Sequence, residues 1–257
     1  METVISRDGT TIAFDRLGEG SPVVLVCGGS VDRMADAALA QELASHHMVM
    51  NFDRRGRGDS GDTPPYAVER EVEDIEAVIE AAGGSAHLWG SSSGAALAMI
   101  AAARGAAVTK LALWEPPYIL DEHARPPADQ VEQYDRMITE NRRGDAVEYF
   151  MTQVVRMPPE FVANARNEPW WPAQEALAHT LAYDARIMGD YSVPTETAGH
   201  VTAPTLVLAG GADMPFMRSS AEALADAIPN GEVRFLEGQG HDVDSAVLAP
   251  ALEAFFT

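Results

Sequence analysis

Three consecutive serines follow an apolar run near the middle of the chain, and one of them has the surroundings of a nucleophile. In the stretch W-G-S-S-S-G-A, only Ser92 has a glycine two residues before it and two residues after it, Gly90 and Gly94. This G-x-S-x-G spacing is typical of a tight turn between a strand and a helix, where larger side chains would collide with neighbouring backbone. The strained turn would expose the hydroxyl beside a helix N-terminus. The pattern predicts that Ser92 attacks a carbonyl carbon.

A serine nucleophile needs a base, and His241 is the histidine best placed to act as one. It stands in E-G-Q-G-H-D-V, after the last predicted strand and before the last predicted helix. A loop in that place can lie over the carboxyl edge of a parallel sheet, where ligands bind in open α/β folds. We therefore expect His241 to accept the Ser92 proton and the adjacent Asp242 to cap the last helix.

Two carboxylates compete for the role of orienting that base. Asp213 follows the apolar segment T-L-V-L-A in G-G-A-D and gives the chain order Ser, Asp, His. Glu115 ends an earlier apolar segment in L-W-E-P-P, from which a carboxylate could reach the same imidazole. Both residues remain candidates at this point.

The oxyanion formed by such an attack needs two backbone N–H donors. Ser93, directly after the nucleophile, is expected to supply one, and Gly29, in the turn after P-V-V-L-V-C, the other. Residues near that turn or in the aromatic middle of the chain are expected to line the substrate pocket: Ser30, Tyr118, Trp170, Trp171 and Tyr183. For the tryptophan pair, a place in the core of an inserted segment is the competing expectation.

Alternating strand and helix patterns at both ends of the chain must position these residues. Such alternation predicts an α/β fold with a parallel sheet and helical crossovers. Residues 118–200 contain helical patterns, three Pro-Pro pairs lie in or near them, and no strand is predicted there. We expect a helical cap at 118–200 and a core domain made of 1–117 and 201–257. The charged loop D-R-R-G-R-G-D-S, residues 53–60, is interpreted as structural, its arginines bound by nearby acids.

Composition narrows the choice of partners and compartment. The 257 residues include 18 Lys and Arg against 39 Asp and Glu, a formal net charge of −21, which disfavours nucleic acid and anionic membranes. We expect a neutral small-molecule substrate, no cofactor and no metal, and a cytoplasmic protein, because neither a membrane span nor a signal pattern is found. The single cysteine, Cys27, excludes an internal disulfide. The oligomeric state is open, a homodimer included.

The order of motifs along essentially the whole chain resembles the α/β-hydrolase superfamily. These motifs are the turn at Gly29, the 53–60 loop, the G-x-S-x-G serine, the helical insertion, G-G-A-D and G-H. The resemblance implies an eight-stranded, mostly parallel sheet with strand two antiparallel, and a Ser–His–acid triad. W-G-S-S-S-G-A followed by W-E-P-P is similar to the zearalenone-lactonase group, which supports Glu115. The spacing usual in the superfamily supports Asp213 and gives it a narrow preference. The familiar His-Gly after the third strand is here Cys27-Gly28.

The function that the resemblance implies is that of a serine hydrolase, which cleaves a carboxylic ester or lactone through an acyl-enzyme. The same site could instead hydrolyse a carbon–carbon bond or carry out cofactor-free perhydrolysis. A non-catalytic ligand-binding module of the same fold is the alternative outside enzymology. Dehalogenase and epoxide-hydrolase chemistry would need an aspartate nucleophile, whereas position 92 is serine.

Overall fold

The computed structural model of the chain describes residues 1–212 and 214–257, which form one eight-stranded sheet and the helices around it. The strands are β1 (Glu2–Ile5), β2 (Thr11–Leu17), β3 (Ser21–Val26), β4 (His47–Phe52), β5 (Ala86–Ser91), β6 (Val108–Trp114), β7 (Thr205–Gly210) and β8 (Gly231–Leu236). Their order across the sheet is β1-β2-β4-β3-β5-β6-β7-β8. β2 runs antiparallel to both β1 and β4, and all later neighbours are parallel. The predicted sheet is confirmed.

Helices follow most of the parallel strands. The α-helices are α1 (Ala37–Leu43), α2 (Val68–Ala81), α3 (Ser93–Ala103), α4 (Gln130–Thr139), α5 (Arg143–Tyr149), α6 (Pro159–Ala165), α7 (Trp171–Leu177), α8 (Leu181–Met188), α9 (Thr195–Ala198), α10 (Pro215–Ala227) and α11 (Ser245–Phe256). Short 3-10 turns lie at Arg33–Asp36, Glu122–Ala124 and Ala178–Thr180, and a π turn at Phe150–Val154. Within the described ranges, none of the helices combines the length and apolar character needed to cross a bilayer.

The central strands are apolar on both faces because helices cover both sides of the sheet. In β3, Val24 and Val26 belong to the core shared with α2, α3 and α10, whereas Val23 and Leu25 belong to the core shared with α1 and α11. Successive side chains of a strand point to opposite faces, so an unbroken apolar run is required to fill both layers. This packing fixes the carboxyl ends of β3, β5 and β6 beside one another.

The chain between β6 and β7, residues 115–204, is called here the inserted segment. The structure describes all of it, and it contains α4 to α9 and no strand. It has a core of its own, to which helices α4, α5, α7 and α8 contribute buried residues such as Tyr134, Val147, Trp171 and Leu181. The division into a core domain and a cap with bounds at 118 and 200 stays a prediction.

The loop after β4 buries its arginines rather than presenting them to solvent. Arg54, Arg55 and Arg57 are each at most 1% exposed. Arg55 pairs with Asp74 at 2.7 Å and with Asp8 at 2.9 Å. Because a buried guanidinium is tolerated only when it is paired and hydrogen-bonded, these acids are required by the loop. The prediction that acids bind the arginines of this loop is confirmed.

Candidate active site

The serine turn has the strained backbone that its glycines imply. Ser92 lies between β5 and α3 with φ 54° and ψ −124°, a region that side-chain-bearing residues rarely adopt. A methyl group on Gly90 would overlap the backbone of Gly94, and one on Gly94 would overlap the carbonyl groups of Val26 and Cys27. The backbone N–H of Ser92 donates to the carbonyl of Trp114 at 2.8 Å, which ties the turn to the end of β6. The turn is therefore held by close backbone packing on two sides.

Glu115 and His241 form a direct contact at the carboxyl end of the sheet. Glu115 follows β6, the strand next to β5, and its side chain is fully buried. Its Oε1 accepts from the N–H of Gly210 at 2.7 Å, and its Oε2 lies 2.7 Å from Nδ1 of His241. A carboxylate can only accept, so the Nδ1 proton lies in this hydrogen bond and Nε2 is the basic nitrogen.

The loop that carries His241 is also fixed by Trp114, the last residue of β6. The indole Nε1–H of Trp114 donates to the carbonyl of His241 at 2.9 Å. The imidazole is 42% exposed, so it combines a buried contact at Nδ1 with access to solvent.

The prediction for the helix that follows His241 is wrong in one detail. The N-cap of α11 is Asp244, whose side chain accepts from the N–H of Ala246, and not Asp242, because the helix begins at Ser245.

Asp213, the other candidate for the acid, lies outside the described residues. The assignment between the two carboxylates therefore rests on the geometry of Glu115. That residue also has a φ of +43°. Six described non-glycine residues have a positive φ, and Ser30, Ser92 and Glu115 are three of them. Backbone strain of this kind concentrates at functional sites, and here it marks three candidate positions in separate parts of the chain.

The turn after β3 lies against the serine turn. A methyl group on Gly28 would come within 3.2 Å of Cβ of Ser92, and one on Gly29 within 3.3 Å of Oγ of Ser93. The two positions predicted to donate to an oxyanion, Gly29 and Ser93, are thus neighbours in space. Ser30 is buried, and its Oγ has no hydrogen-bond partner in the described part of the chain.

The other residues predicted for the pocket fall in different surroundings. Tyr118 is buried in the core shared by β6, α3 and α10. Trp171 is 4% exposed and belongs to the core of the inserted segment, whereas Trp170 is 41% exposed. Tyr183 stacks on Tyr66 with ring centroids 3.8 Å apart. The structure therefore brings Ser30 to the serine turn, whereas Tyr118 and Trp171 pack in cores and Tyr183 contacts Tyr66 and Asp62.

One contact at this site was missed from the sequence. Asp184 on α8 reaches the turn after β3 and accepts a hydrogen bond from Oγ of Ser93 at 2.8 Å. No motif surrounds it, and it lies 91 residues from Ser93 along the chain. A signal was present, since Leu181, Asp184, Ala185 and Met188 follow the i, i+3, i+4, i+7 spacing of a buried helix face. An acid within such a stripe indicates a buried partner.

The fold agrees with comparisons to known proteins. The model of the alpha/beta hydrolase family matches residues 23–253, and the chain belongs to that family. An alpha/beta hydrolase from Sphaerobacter thermophilus DSM 20745 is 52% identical, with a TM-score of 0.92 and full coverage of both chains.

Two more distant structures share the fold. A thermophilic esterase from Thermogutta terrifontis is 25% identical with a TM-score of 0.73, covering 99% of this chain and 97% of that chain. An N-acyl homoserine lactone degrading enzyme is 24% identical with a TM-score of 0.70, covering 98% and 99%. The family match, the 52% identical hydrolase and the Thermogutta esterase support hydrolase activity, whereas the lactone-degrading enzyme shows a shared fold.

Proposed function

We propose that the protein is a serine hydrolase that cleaves a carboxylic ester or lactone of a neutral small molecule, with Ser92, His241 and Glu115 as its triad. The observation that carries the proposal is the 2.7 Å contact between Nδ1 of His241 and Oε2 of the buried Glu115. It orients the imidazole from the end of β6, the strand beside β5, which Ser92 directly follows. A neutral substrate suits a molecule whose formal net charge is −21, since an anion would be repelled.

The chemistry follows from these roles. Ser92 Oγ attacks the carbonyl carbon while Nε2 of His241 takes its proton, and the N–H groups of Gly29 and Ser93 stabilise the oxyanion. Collapse of the tetrahedral intermediate breaks the C–O bond and leaves an acyl group on Ser92, while the leaving oxygen receives the proton from His241; an ester releases a free alcohol, and a lactone opens to a hydroxyl on the acyl chain. Water, deprotonated by His241, then attacks the acyl carbon; the bond to Ser92 Oγ breaks, His241 returns the proton to that oxygen, and the acid is released. Glu115 stabilises the imidazolium in both halves.

The inserted segment is proposed to act as a cap over this site, with bounds near 118 and 200. Support comes from its contacts with the turn after β3. Nε2 of Gln174 on α7 donates to the carbonyl of Ser30 at 3.2 Å, and Asp184 on α8 bonds Ser93. Of the residues predicted to line the pocket, Ser30 is the one that we propose to contact the substrate. Its buried hydroxyl has no hydrogen-bond partner among the described residues, so it is suited to bind a polar substrate atom.

Two measurements on four proteins test the proposal. Wild type, Ser92→Ala and His241→Ala would be compared with Ser91→Ala, the matched control from the same serine run. Wild type and control should hydrolyse p-nitrophenyl acetate and react with a fluorophosphonate probe, whereas Ser92→Ala should lose both. The expected loss of kcat is about a millionfold for either triad variant. Near-normal turnover in Ser92→Ala, or a folded wild type that the probe does not label, would refute the proposal.

A further inference from the structure

Asp184 lies at the centre of a buried charge network that joins the inserted segment to the serine turn. It is 6% exposed. Its Oδ1 accepts from Ser93 Oγ at 2.8 Å and from Arg54 Nη1 at 2.9 Å. Arg57 Nη2 donates to both of its oxygens at 2.8 Å. Burial acts to raise the pKa of Asp184, but the two guanidinium groups outweigh it and the pKa is lowered, so the carboxylate is ionised.

Arg57 extends this network to the peptide that precedes the proposed oxyanion donor. Its Nη1 donates to the carbonyl of Gly28. In a planar trans peptide the carbonyl and the following N–H point in opposite directions, so fixing the Gly28 oxygen also fixes the direction of the Gly29 N–H. The carboxylate of Asp184 packs directly on this residue, because a methyl group on Gly29 would lie 3.1 Å from Oδ2. The turn has little room to tilt.

One carboxylate therefore acts on both sides of the oxyanion hole, on Ser93 through its hydroxyl and on Gly29 through Arg57 and direct packing. We propose that Asp184 is a positioning residue, which sets the spacing and direction of the Gly29 and Ser93 N–H groups from the inserted segment. The inference rests on the proposed function, in which those two groups bind the oxyanion. Such donors act only when they are aimed at the position that the oxyanion occupies, so a small displacement lowers kcat.

The same network supplies a matched control. Glu71 on α2 is 2% exposed and binds Arg54 through two hydrogen bonds of 2.7 and 2.9 Å. Glu71→Gln and Asp184→Asn each remove one negative charge from the group formed by Arg54, Arg57, Glu71 and Asp184. Both leave an uncompensated buried guanidinium charge, and both should lower stability. Of these two acids, Asp184 contacts Ser93 and packs on Gly29, whereas the described contacts of Glu71 include neither residue, so the replacement of Asp184 should disturb the oxyanion hole more.

The test compares kcat and KM for p-nitrophenyl acetate and the affinity for a trifluoromethyl ketone, which forms a tetrahedral adduct on the nucleophile. For Asp184→Asn we expect kcat to fall about 10- to 100-fold and the ketone to bind weaker by a similar factor, while KM stays within about 3-fold. For Glu71→Gln we expect all three quantities within about 3-fold of wild type. Equal losses in both variants, or an unchanged kcat in Asp184→Asn, would overturn the inference.

Ser93→Ala covers the case in which Asp184→Asn fails to fold. It keeps the N–H of residue 93 and all four charges, and it removes only the hydroxyl that Asp184 binds. We expect kcat to fall about 3- to 10-fold with an unchanged melting temperature. Wild-type kcat and ketone affinity in Ser93→Ala would contradict the inference. Failure of the proposed function would look different, because wild type itself would then be inactive and unlabelled by the fluorophosphonate.

Discussion

Glu115 is an unusual carboxylate, because it is fully buried at a strand end and held between two hydrogen-bond donors. Its Oε1 accepts from the Gly210 N–H at 2.7 Å, and its Oε2 faces Nδ1 of His241 at 2.7 Å. A buried carboxylate without partners would be costly, so these contacts are what permits its charge there. The same contacts fix the carboxylate in place before any substrate binds, which is the property that an orienting acid needs.

This geometry leads to a prediction about the acid. Glu115→Gln preserves the shape of the side chain but removes its charge, and should lower kcat about ten-thousandfold. Asp213→Asn, made and assayed under identical conditions, should keep most of the turnover. The measurement is kcat for p-nitrophenyl acetate, with the circular dichroism spectrum as the check on folding. A severe loss in Asp213→Asn with a mild one in Glu115→Gln would reverse the assignment, and mild losses in both would leave His241 oriented by neither residue.

Much of the candidate site could be predicted from local sequence, and one part could not. Ser92 and His241 are marked by glycine spacing and by position after a strand, both of which are local properties. Local sequence could not predict which of the two carboxylates orients His241, because that depends on which strand end faces the loop that carries the imidazole. Asp184 lies still further from any motif, since its partners Arg54 and Arg57 are 130 and 127 residues away along the chain.

At the scale of elements, the inserted segment has an interior that is separate from the sheet. Trp171 lies at the start of α7 in that interior, and its Nε1–H donates to Oε1 of Glu175 at 2.8 Å. The ring of Trp170, beside it, is 41% exposed. Two neighbouring tryptophans therefore have opposite surroundings, which the Pro-Trp-Trp-Pro sequence alone does not distinguish.

Truncation of the two tryptophans should separate core from surface. Trp171→Ala is expected to lower the free energy of unfolding by about 3 to 5 kcal/mol, because it empties a large buried volume. Trp170→Ala should cost less than about 1 kcal/mol, since its ring is already half exposed. Urea unfolding measures both. If Trp171→Ala instead changed the preference among esters and lactones at unchanged stability, Trp171 would be a wall of the substrate pocket.

The elements themselves were largely predictable, and the reasons are physical. β3 and β7 are apolar on both faces, and α2 has a regular amphipathic pattern, so each carries its own signal. The sequence pattern over about 34–46 predicts a single helix, but the chain instead forms a 3-10 turn at Arg33–Asp36 followed by α1. Asp32 caps that turn by accepting from the N–H of Met34. Such short irregular pieces depend on single side-chain bonds, which periodicity does not report.

At the scale of the whole molecule, a histidine at the amino ends of the central strands, opposite the serine turn, affects the stability of the protein in acid. His87, near the start of β5, stacks on Phe256 with ring centroids 4.8 Å apart, and its Nδ1 lies 2.8 Å from Oγ1 of Thr109. Burial, together with the charges of His47 and Lys110, lowers the pKa of His87 to about 4. The folded protein therefore resists protonation at a position that the unfolded chain protonates readily.

This pKa difference predicts a fall in stability in acid. Between the ordinary histidine pKa of 6.5 and the folded value of about 4, the unfolded state binds more protons, so the free energy of unfolding should decrease as pH falls through that window. His87→Phe keeps the stacked ring without the titration, and should flatten this part of the profile. Urea unfolding at several pH values measures the slope. His123→Phe, at an exposed position, is the control, and an equal slope in wild type and His87→Phe would contradict the prediction.

The anchoring of α8 to the serine turn limits which segments of this protein can be exchanged with those of other hydrolases. A chimaera that exchanged the inserted segment for that of another hydrolase would also remove Asp184. Among the described ion pairs of this network, Arg54 would then keep Glu71, and Arg57 would lose its carboxylate partner. Grafts that retain α8, or that carry an acid at the same turn of the helix, should therefore yield folded and active proteins more often than grafts made at the strand ends. The natural unit of exchange is smaller than the insertion, and it comprises α4 to α7 without the helix that holds the carboxylate.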